Sequence, residues 1–575
     1  MTANGANQSP PLEGYNVFLS DHALVDAVRR EGAGWAEERM SRVGELLGGE
    51  PLVWGHQANA HPPVLKSHDR FGERIDEVEF HPAWHSMMRF SIGHGVHALP
   101  WRERRPGAHV ARAALLFLVS QVEAGHACPV SMTFAAVPLL EAHPEVGGEW
   151  VPQLTSLAYD ERAIPASKKA GALCGMAMTE RQGGSDVRAN TTRARWLSGT
   201  GPGAEYAVTG QKWFCSAPMC DAFVVLAQTE HGLSCFLLPR WRPDGTRNGF
   251  RLERLKDKLG NRSNASAEVR FDEAWARLVG EEGRGVATIM EMVGHARLEC
   301  LLASAGLMRQ AVAQATHHAA HRATFGRVLE AHPLMQNVLA DLAVESEAAT
   351  AIALRLARAY DERGSDERER RFTRFVTPIV KYWICKRTPP LVAEALECLG
   401  GNGYVEESML PRLYREAPVN SVWEGSGNIM CLDVLRALTR ERESVDVFFD
   451  EVSLAARLDR RLDAFVASIR DELARREEVE GSAAHRRAAP PGARSLAAGA
   501  RGPAGSRRGL RRVAARQRPW SRVRHARPGR RFQDDPRASP ARAGDAVTEK
   551  GARVGSKEFV GGVDQRSTDE TRRVP

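Results

Sequence analysis

The chain has 575 residues, of which 43% are hydrophobic and 26% charged, which is typical of a globular protein with roughly three or four domains. Its nine cysteines form no CxxC pair, no apolar stretch reaches the length of a membrane span, and the first residues lack the pattern of a signal peptide, so we expect a cytoplasmic protein without a disulfide framework or a metal site. The net charge of +8 is unevenly distributed, because residues 481–575 carry +15 and residues 1–480 carry −7.

Residues 1–170 predict an N-terminal helical domain. Its first helix is predicted over LSDHALVDAVRREGAGWAEERMSRVGELLGG, with Ser20 or Asp21 as the N-cap and Gly48-Gly49 as the stop. The further helical segments of this domain are Trp84–Gly93, Ala111–Glu123 and Val130–Ala142.

Residues 171–280 predict a middle β domain. The β-rich runs are EYAVTGQKWFCSA, DAFVVLAQT, LSCFLLPR and SAEVRFDEA, separated by the turn signals GTGPG, EHG and PDGTRNG. In GMAMTERQGGSDVRANTTRA, two glycines before Ser185 let the backbone approach an anion, but a turn before a polar strand has the same pattern. In GQKWFCSA, Trp213 and Phe214 beside Ser216 suit a flat heteroaromatic ligand and equally suit an ordinary β core.

Long helices are predicted again after Gly280–Gly285. Apolar residues from Met335 to Leu356 recur with a period near 3.5, which buries one face of a helix. Two shorter helices, Phe372–Arg387 and Leu391–Leu399, are predicted on either side of Pro389-Pro390 because proline ends or kinks a helix. We assign residues 281–445 to a C-terminal helical domain.

The sequence VNSVWEGSGNIMCLDVLR places an isolated acid, Glu424, between a tryptophan and a Gly-x-Gly pattern. Glycine is unfavourable inside helices, so we expect Glu424 on a turn that opens the amphipathic helix Ile429–Leu438. A carboxylate there, backed by a large ring, is a candidate general base with a raised pKa. The alternative is a helix N-terminal glutamate that complements the helix dipole, and these residues alone favour that alternative.

Beyond residue 445 the helical pattern of the sequence weakens. We assign residues 446–480 to a partial helical extension, since the helical pattern fails after Arg475. Residues 481–575 contain 21 Arg but no Ile, Met, Tyr or Cys, so we predict a disordered basic tail rich in Arg, Ala, Gly and Pro. This tail is either an arginine-rich nucleic-acid-binding segment or the product of a shifted reading frame in a GC-rich gene, and the second is the stronger interpretation.

Six blocks occur in an order and approximate spacing that resemble the acyl-CoA dehydrogenase flavoprotein family: MTERQGGSDV, GQKWFCS, KLGNRSNAS, HRATFGRVLEAHPLMQ, LECLGGNGY and VWEGSGNIMCLDVLR. The amino-acid sequences of these blocks, together with FHPAWH and QVEAGHACPVSMTFAA, are most similar to those of the DNA-alkylation-response (AidB-like) branch. The resemblance covers roughly residues 14–445. It implies a mostly α fold with a β-barrel-like middle domain and a C-terminal helical bundle, and FAD as the cofactor.

The resemblance also implies the residues of the site. Glu424 matches the family's catalytic base, and Arg322 and Phe325 match residues that reach the FAD of a neighbouring subunit, so a homo-oligomer, a tetramer, is expected. The residues that match cofactor contacts are Met178, Thr179, Gly184, Ser185, Phe214, Ser216, Arg322, Phe325, Glu397, Gly400, Gly401, Ser426 and Asn428. Among these, Phe214, Ser216 and Glu397 replace the tryptophan, threonine and glutamine of most relatives.

Two residues suggest an unusual substrate. Trp423 replaces a common tyrosine and narrows the space for an acyl chain, and Arg436 could present a cation nearby, although plain packing and a helix-surface charge explain both equally well. Some relatives supply the base from the first long helix after the β domain, where this chain has Ala296-Arg297 and no acid.

Two functions follow as hypotheses. The first is FAD-dependent α,β-desaturation of an acyl-CoA with Glu424 as the base. The second is a DNA-associated flavoprotein that defends against alkylation damage with little or no dehydrogenase turnover, which would bind double-stranded DNA. In that branch a C-terminal helical domain supplies the basic DNA-facing surface, and this chain departs from the pattern there.

Overall fold

A computed structural model describes residues 7–488 of the chain, with side chains through residue 475. The chain divides into two units after Ala464. The first unit contains the elements discussed below. The described part of the second unit is the continuation of one helix.

The N-terminal region is helical, as predicted, and also contains a β-hairpin that the sequence reading missed. The helices are α1 (His22–Arg30), α2 (Glu37–Leu47), α3 (Glu50–Ala60), α4 (Pro82–Gly93), α5 (Leu99–Arg102), α6 (Ala108–Val122), α7 (Ala127–Glu141), α8 (Pro144–Gly147) and α9 (Val151–Leu154). The hairpin consists of β1 (Val64–His68) and β2 (Arg74–Glu79).

The prediction of one long first helix is wrong. Asp21 does cap α1, since its side chain accepts from the backbone N–H of Leu24, but the chain leaves the helix after Arg30. Gly32 has φ +90°, a left-handed conformation that ends a helix, and α2 starts afresh at Glu37. The apolar period continues across this break, which is why the sequence pattern did not reveal it.

The middle region is a seven-stranded sheet. Its strands are β3 (Cys174–Ala177), β4 (Arg193–Ser198), β5 (Glu205–Ser216), β6 (Ala222–Thr229), β7 (Gly232–Pro239), β8 (Phe250–Leu255) and β9 (Ser266–Val279). Strands β6, β4, β5, β9 and β7 close into a ring because β7 pairs with β6 as well as with β9. Strand β3 joins β6 in parallel, and β8 joins β9.

The C-terminal region is a bundle of long helices. It contains α10 (Gly285–His321), a small hairpin of β10 (Ala323–Thr324) and β11 (Arg327–Val328), α11 (Pro333–Glu362), α12 (Glu367–Cys398), α13 (Met409–Glu416), α14 (Gly427–Arg440) and α15 (Arg442–Ser453). The mostly α fold with a barrel-like middle β domain is therefore confirmed. The exact domain boundaries stay predictions.

Helix α12 contradicts the prediction of two helices separated by Pro389-Pro390. It runs unbroken through both prolines and through Pro378. Each proline removes one backbone donor, which an isolated helix tolerates poorly. Here Thr388, Leu391, Val392 and Ala395 around the prolines are buried. Tertiary packing therefore holds the helix where local propensity would end it.

The expected failure of the helical pattern after Arg475 is also wrong, since helix α16 (Arg460–Ala488) continues to residue 488. Its sequence is rich in Ala, Arg and Glu, which favour helix without an apolar period. The rest of the predicted disordered tail lies outside the described residues. None of the helices within residues 7–488 is long and apolar enough to cross a lipid bilayer.

Candidate active site

The turn that carries Glu424 lies between a 3-10 helix, Val419–Ser421, and α14. Its backbone is unusual, because Glu424 has φ +55° and Gly425 has φ +99°. The positive φ of Gly425 favours glycine there, and a β-carbon added at this position would also lie 2.5 Å from Cε of Met430, which would have to move. The structure has a turn where the sequence predicts one, and α14 begins two residues earlier than predicted.

The carboxylate of Glu424 is shielded from solvent and incompletely paired. Among the described side chains, its Oε2 atom has no hydrogen-bond partner. Burial raises the pKa of the Glu424 carboxyl above its usual value, and the positive charges of Lys381 and Arg297 only partly oppose this rise. An unpaired carboxylate oxygen with a raised pKa is the property that proton abstraction requires.

Two cations reach this turn from neighbouring helices. Arg297 of α10 donates from Nε to the backbone oxygen of Glu424 at 3.2 Å and from Nη1 to Asp433 at 2.7 Å. Lys381 of α12 is buried and donates to three backbone oxygens of the turn. Because Asp433 accepts from Arg297, part of that positive charge is neutralised within the site.

The two residues predicted to shape the substrate space differ in burial and in their contacts. Trp423 is half-buried, and its indole N–H donates to Oδ1 of Asn420 at 2.8 Å, which fixes the ring beside the Glu424 turn. Arg436 is 61% exposed, and its nearest acid is Asp433, 3.9 Å away. The cations whose charges act on Glu424 are Lys381 and Arg297. A substrate role for Trp423 or Arg436 stays a prediction.

Cys128, at the start of α7, connects Glu424 to the β domain. Its thiol lies close enough for the charges of Glu424 and Lys258 to affect it, and it contacts Ser216 and Asn264. Burial raises the pKa of the Cys128 thiol to about 12, so it is a neutral, inert group. Ser216 of β5, a predicted flavin contact, is therefore a neighbour of a thiol that the charge of the candidate base also reaches.

The loop after β3 lies against the same strand. Thr179 accepts from the backbone N–H of Trp213 at 2.8 Å, and Met178 accepts from the Asn190 side chain at 3.0 Å. A β-carbon at Gly184 would lie 2.4 Å from Thr179 Oγ1, so only glycine allows the loop to fold this tightly. Ser185 is exposed. Next to this loop, the ring of Phe214 is 50% exposed.

A flat ring and an anionic group fit this arrangement. Phe214 offers an exposed aromatic face, with Lys256 Nζ 4.8 Å from its ring centre, and the glycine-containing loop presents backbone groups and an exposed hydroxyl. These are the features that a flavin ring and its pyrophosphate need. Ser426, at the N-cap of α14, and the exposed Asn428 lie on the Glu424 turn and helix.

The remaining predicted cofactor residues form a separate surface group. Arg322 and the hairpin β10–β11 contact Asn7, while Gln8 accepts from Asn402 in the glycine turn that follows α12. Glu397, Gly400 and Gly401 are exposed in or beside that turn, and Phe325, at the hairpin tip, is 97% exposed. The N-terminal segment thus joins these two elements on one surface.

The sequence reading missed three residues of the site. Lys381, Lys258 and Cys128 were not singled out, and Arg297 was considered only as the neighbour of Ala296. For Lys381 a signal exists, because a lysine inside the apolar run FVTPIVKYWIC is unusual on a buried helix. Lys258 and Cys128 lie inside two blocks that carry the family resemblance, KLGNRSNAS and QVEAGHACPVSMTFAA, but the residue types around them do not mark them as site residues.

Comparisons with known proteins agree with this geometry. Residues 7–161 match the profile of the adaptive response protein AidB N-terminal domain, residues 175–274 the acyl-CoA dehydrogenase middle domain, and residues 283–439 its C-terminal domain. "Putative acyl-CoA dehydrogenase AidB" of Escherichia coli strain K12 is 50% identical over 478 residues, which are 83% of this chain and 87% of that protein. This chain belongs to the acyl-CoA dehydrogenase family. The resemblance to its AidB-like branch is confirmed.

Solved structures show the same fold. The crystal structure of Caenorhabditis elegans ACDH-11 in complex with C11-CoA has a TM-score of 0.76 and 28% identity, and 84% of each chain is covered. Butyryl-CoA dehydrogenase from Megasphaera elsdenii, at 19% identity and a TM-score of 0.56 over 73% of this chain and 99% of that one, shows the fold alone. Members of the family are oxidoreductases that act on CH–CH groups, with FAD as the usual cofactor.

Proposed function

We propose that this protein binds FAD and desaturates an acyl-CoA thioester between its α- and β-carbons, with Glu424 as the base. The observation that carries the proposal is the Glu424 carboxylate, which is shielded, holds an unpaired oxygen and has a raised pKa. Two relatives support the substrate class, since ACDH-11 was crystallised with C11-CoA and the E. coli relative is named after acyl-CoA dehydrogenation.

In the proposed reaction Glu424 takes the proton from the α-carbon. The electron pair of the broken C–H bond forms the double bond as a hydride leaves the β-carbon, and Oε2, which has no hydrogen-bond partner among the described side chains, receives the α-proton. Bound FAD would supply the hydride acceptor. The charges of Lys381 and Arg297 favour the ionised form of Glu424, which is the form that accepts a proton.

The cofactor would be held by residues from two surfaces. Met178, Thr179, Gly184 and Ser185 would meet the ring and pyrophosphate together with Phe214 and Ser216, while the group around Arg322, Phe325 and Gly400-Gly401 would meet the FAD of another subunit. The exposed Phe325 supports this division, because a 97% exposed aromatic ring at a hairpin tip is unfavourable unless a partner covers it. A homotetramer is the expected assembly.

The decisive experiment replaces Glu424 with Gln. Glu424→Gln is nearly isosteric, so we expect it to retain flavin, seen as the visible flavin absorbance of the purified protein. We also expect it to lose at least about 100-fold in the rate of anaerobic flavin bleaching by any acyl-CoA that reduces the wild type. Short and medium, straight and branched acyl-CoA thioesters form the substrate panel.

The matched control is Glu407→Gln, which replaces an exposed glutamate in the chain before the Glu424 turn. The flavin of this variant should be bleached at the wild-type rate. Bleaching of Glu424→Gln at the wild-type rate would remove Glu424 from the reaction. Purified protein that neither contains flavin nor gains its absorbance with added FAD would end the proposal altogether.

The second candidate function is defence against DNA alkylation. It is favoured by the match of residues 7–161 to the adaptive response protein AidB N-terminal domain and by the E. coli relative. If no acyl-CoA bleaches the flavin of the wild type, the alkylation-defence function gains support. Its DNA-binding requirement is tested separately below.

A further inference from the structure

The Glu424 turn has a backbone that its own sequence does not favour. Glu424 has φ +55°, in the left-handed region that residues with a β-carbon rarely adopt. Such a conformation persists only where the surroundings hold it in place. The direction of the Glu424 carboxylate depends on this dihedral angle. The groups that hold the turn therefore decide where the base points.

Lys381 is the main such group. It lies on α12 with 1% of its surface exposed, and its single ammonium nitrogen donates to the backbone oxygens of Asn420 at 3.0 Å, Trp423 at 2.9 Å and Gly425 at 2.9 Å. These bonds use all three donors of a lysine. Two of the bonded oxygens belong to the residues immediately before and after Glu424.

Arg297 completes the arrangement from the opposite helix, since its Nε donates to the backbone oxygen of Glu424 itself at 3.2 Å. The oxygens of three consecutive residues, 423 to 425, are thus held by two cations from α12 and α10. Charge-assisted bonds of this kind are stronger than neutral ones and weaken steeply with misalignment. Together, these bonds hold the turn in its left-handed conformation.

We propose that Lys381 is a positioning residue for the Glu424 base. Its ammonium group clamps the turn at three backbone oxygens and so fixes the direction of the carboxylate toward the substrate. The effect on the reaction rests on the proposed function, whereas the clamp on the turn does not.

The packing of α12 does not by itself require a lysine at this position. The helix is anchored elsewhere by Arg387, which pairs with Glu345 at 2.7 Å, and by Arg374, which reaches Asp433 at 3.2 Å, as well as by its buried apolar residues. A methionine is about as long as the lysine stem and would fill the same apolar surroundings. Lys381→Met therefore removes the clamp with little change in volume.

The first measurement is hydrogen–deuterium exchange on the purified full-length protein. In Lys381→Met we expect several-fold faster exchange in the peptide that spans residues 419–430, whose amides at Val422 and Trp423 bond to Val419. The control is Lys66→Met, which replaces an exposed lysine on β1 and should leave that peptide unchanged. Flavin content should equal that of the wild type in both variants.

The second measurement is the rate of flavin bleaching by an acyl-CoA that reduces the wild type. We expect Lys381→Met to lose about 100-fold in this rate, with a small change in the acyl-CoA concentration at half-maximal rate, because a misplaced base costs rate rather than binding. The control Lys66→Met should keep the wild-type rate.

The third measurement is the pH profile of that rate. The groups that face Glu424 are Lys381 of α12, Arg297 and Cys300 of α10 and Cys128 of α7. Because the Lys381 charge lowers the pKa of Glu424, its removal should move the rising limb of the profile to higher pH. A role confined to the packing of α12, with no charge effect on Glu424, would not move this limb.

The outcomes separate the two proposals. Faster exchange in Lys381→Met, with a wild type that no acyl-CoA bleaches, supports the clamp and contradicts the proposed function. The positioning role would be overturned by a different result. In that case an acyl-CoA bleaches the flavin of the wild type but not that of Glu424→Gln, and Lys381→Met shows wild-type exchange, rate and pH profile.

If Lys381→Met fails to fold, Lys381→Arg provides the test. Its planar guanidinium keeps the charge but cannot aim one nitrogen at three oxygens, so we expect an unchanged pH limb with a rate lowered at least about tenfold. An unchanged rate and unchanged exchange in Lys381→Arg would then overturn the proposal.

Discussion

Glu424 combines a strained backbone with a poorly solvated charge, and each feature opposes folding. A left-handed conformation costs a residue with a β-carbon about 1–2 kcal/mol. The shielded Oε2 atom adds the cost of removing a carboxylate from water, which the raised pKa of Glu424 reflects. A residue selected for stability at this position would carry neither a charge nor a β-carbon, so we attribute the presence of Glu424 to its proposed function.

At the residue scale we predict that Glu424→Gln stabilises the protein at neutral pH. The folded-state pKa of Glu424 lies above the unfolded value, so at low pH the group is protonated in both states and contributes nothing. As the pH rises through the unfolded pKa toward the folded pKa, ionisation favours the unfolded state and the wild type loses stability that the variant keeps.

Thermal unfolding of both proteins at several pH values measures this difference. The midpoint of Glu424→Gln should exceed that of the wild type above the folded pKa, and the two midpoints should converge below about pH 4. A variant that is less stable than the wild type at every pH would mean that the carboxylate makes a stabilising contact.

At the element scale, α6 and α10 are joined by a buried ion pair. Arg112 and Glu299 are 1% and 4% exposed, and they contact each other inside the helical region. Arg112 also donates to the backbone oxygen of Val96 at 2.6 Å and lies over the ring of Phe134 at 3.7 Å. A pair as buried as this one adds little net stability but is costly to break.

We predict that removing Glu299 from this pair costs more stability than removing Arg112. Glu299→Leu should cost about 3–5 kcal/mol, because the Arg112 guanidinium stays charged in the interior. Arg112→Met should cost less, since burial already raises the pKa of Glu299 and its carboxyl can take up a proton. The cost of Arg112→Met should also shrink as the pH falls.

Denaturant midpoints of the two single variants and of the double variant Arg112→Met/Glu299→Leu measure this prediction. The double variant should lose less stability than the sum of the two single variants. Equal costs for the two single variants, or additive losses, would show that the two side chains do not depend on each other.

At the scale of the whole molecule, the surface group around Arg322 predicts coupling between cofactor binding and assembly. Arg322→Ala should weaken FAD retention and subunit association together, because the same hairpin would contact the cofactor and the partner. Size-exclusion chromatography with light scattering and flavin absorbance measures both quantities. The control is Arg327→Ala on the same hairpin. A flavin-loaded monomer of the wild type would contradict this coupling.

The uneven charge of the chain predicts where DNA binding would reside. Residues 1–480 carry −7 and residues 481–575 carry +15, so phosphate contacts should depend on the tail and weaken steeply with salt. Truncation after Glu480 should keep flavin and remove most affinity for duplex DNA, measured by fluorescence anisotropy at several salt concentrations.

Undiminished DNA binding by the truncated protein would place the basic surface within residues 1–480 and would favour the alkylation-defence function. If the full-length protein binds no DNA even at low salt, the tail is inert toward DNA. The dehydrogenase function then stands alone.

The sequence by itself determined the order of the architecture, and its resemblance to a known family indicated Glu424 as the candidate base. Helical periodicity, β-rich runs between turn signals and the Gly-x-Gly pattern around Glu424 are local signals that the sequence carries directly. The ordered blocks were specific enough to indicate the family, which the comparisons confirmed.

Only the tertiary structure decided what lies around that base and which elements continue. Helix α12 passes through Pro389-Pro390 because neighbouring helices bury it, and the first predicted helix divides because Gly32 adopts a left-handed backbone. Lys381 and Arg297 come from distant parts of the chain to hold the Glu424 turn. Such pairings depend on how helices pack, and a local sequence pattern carries no information about that.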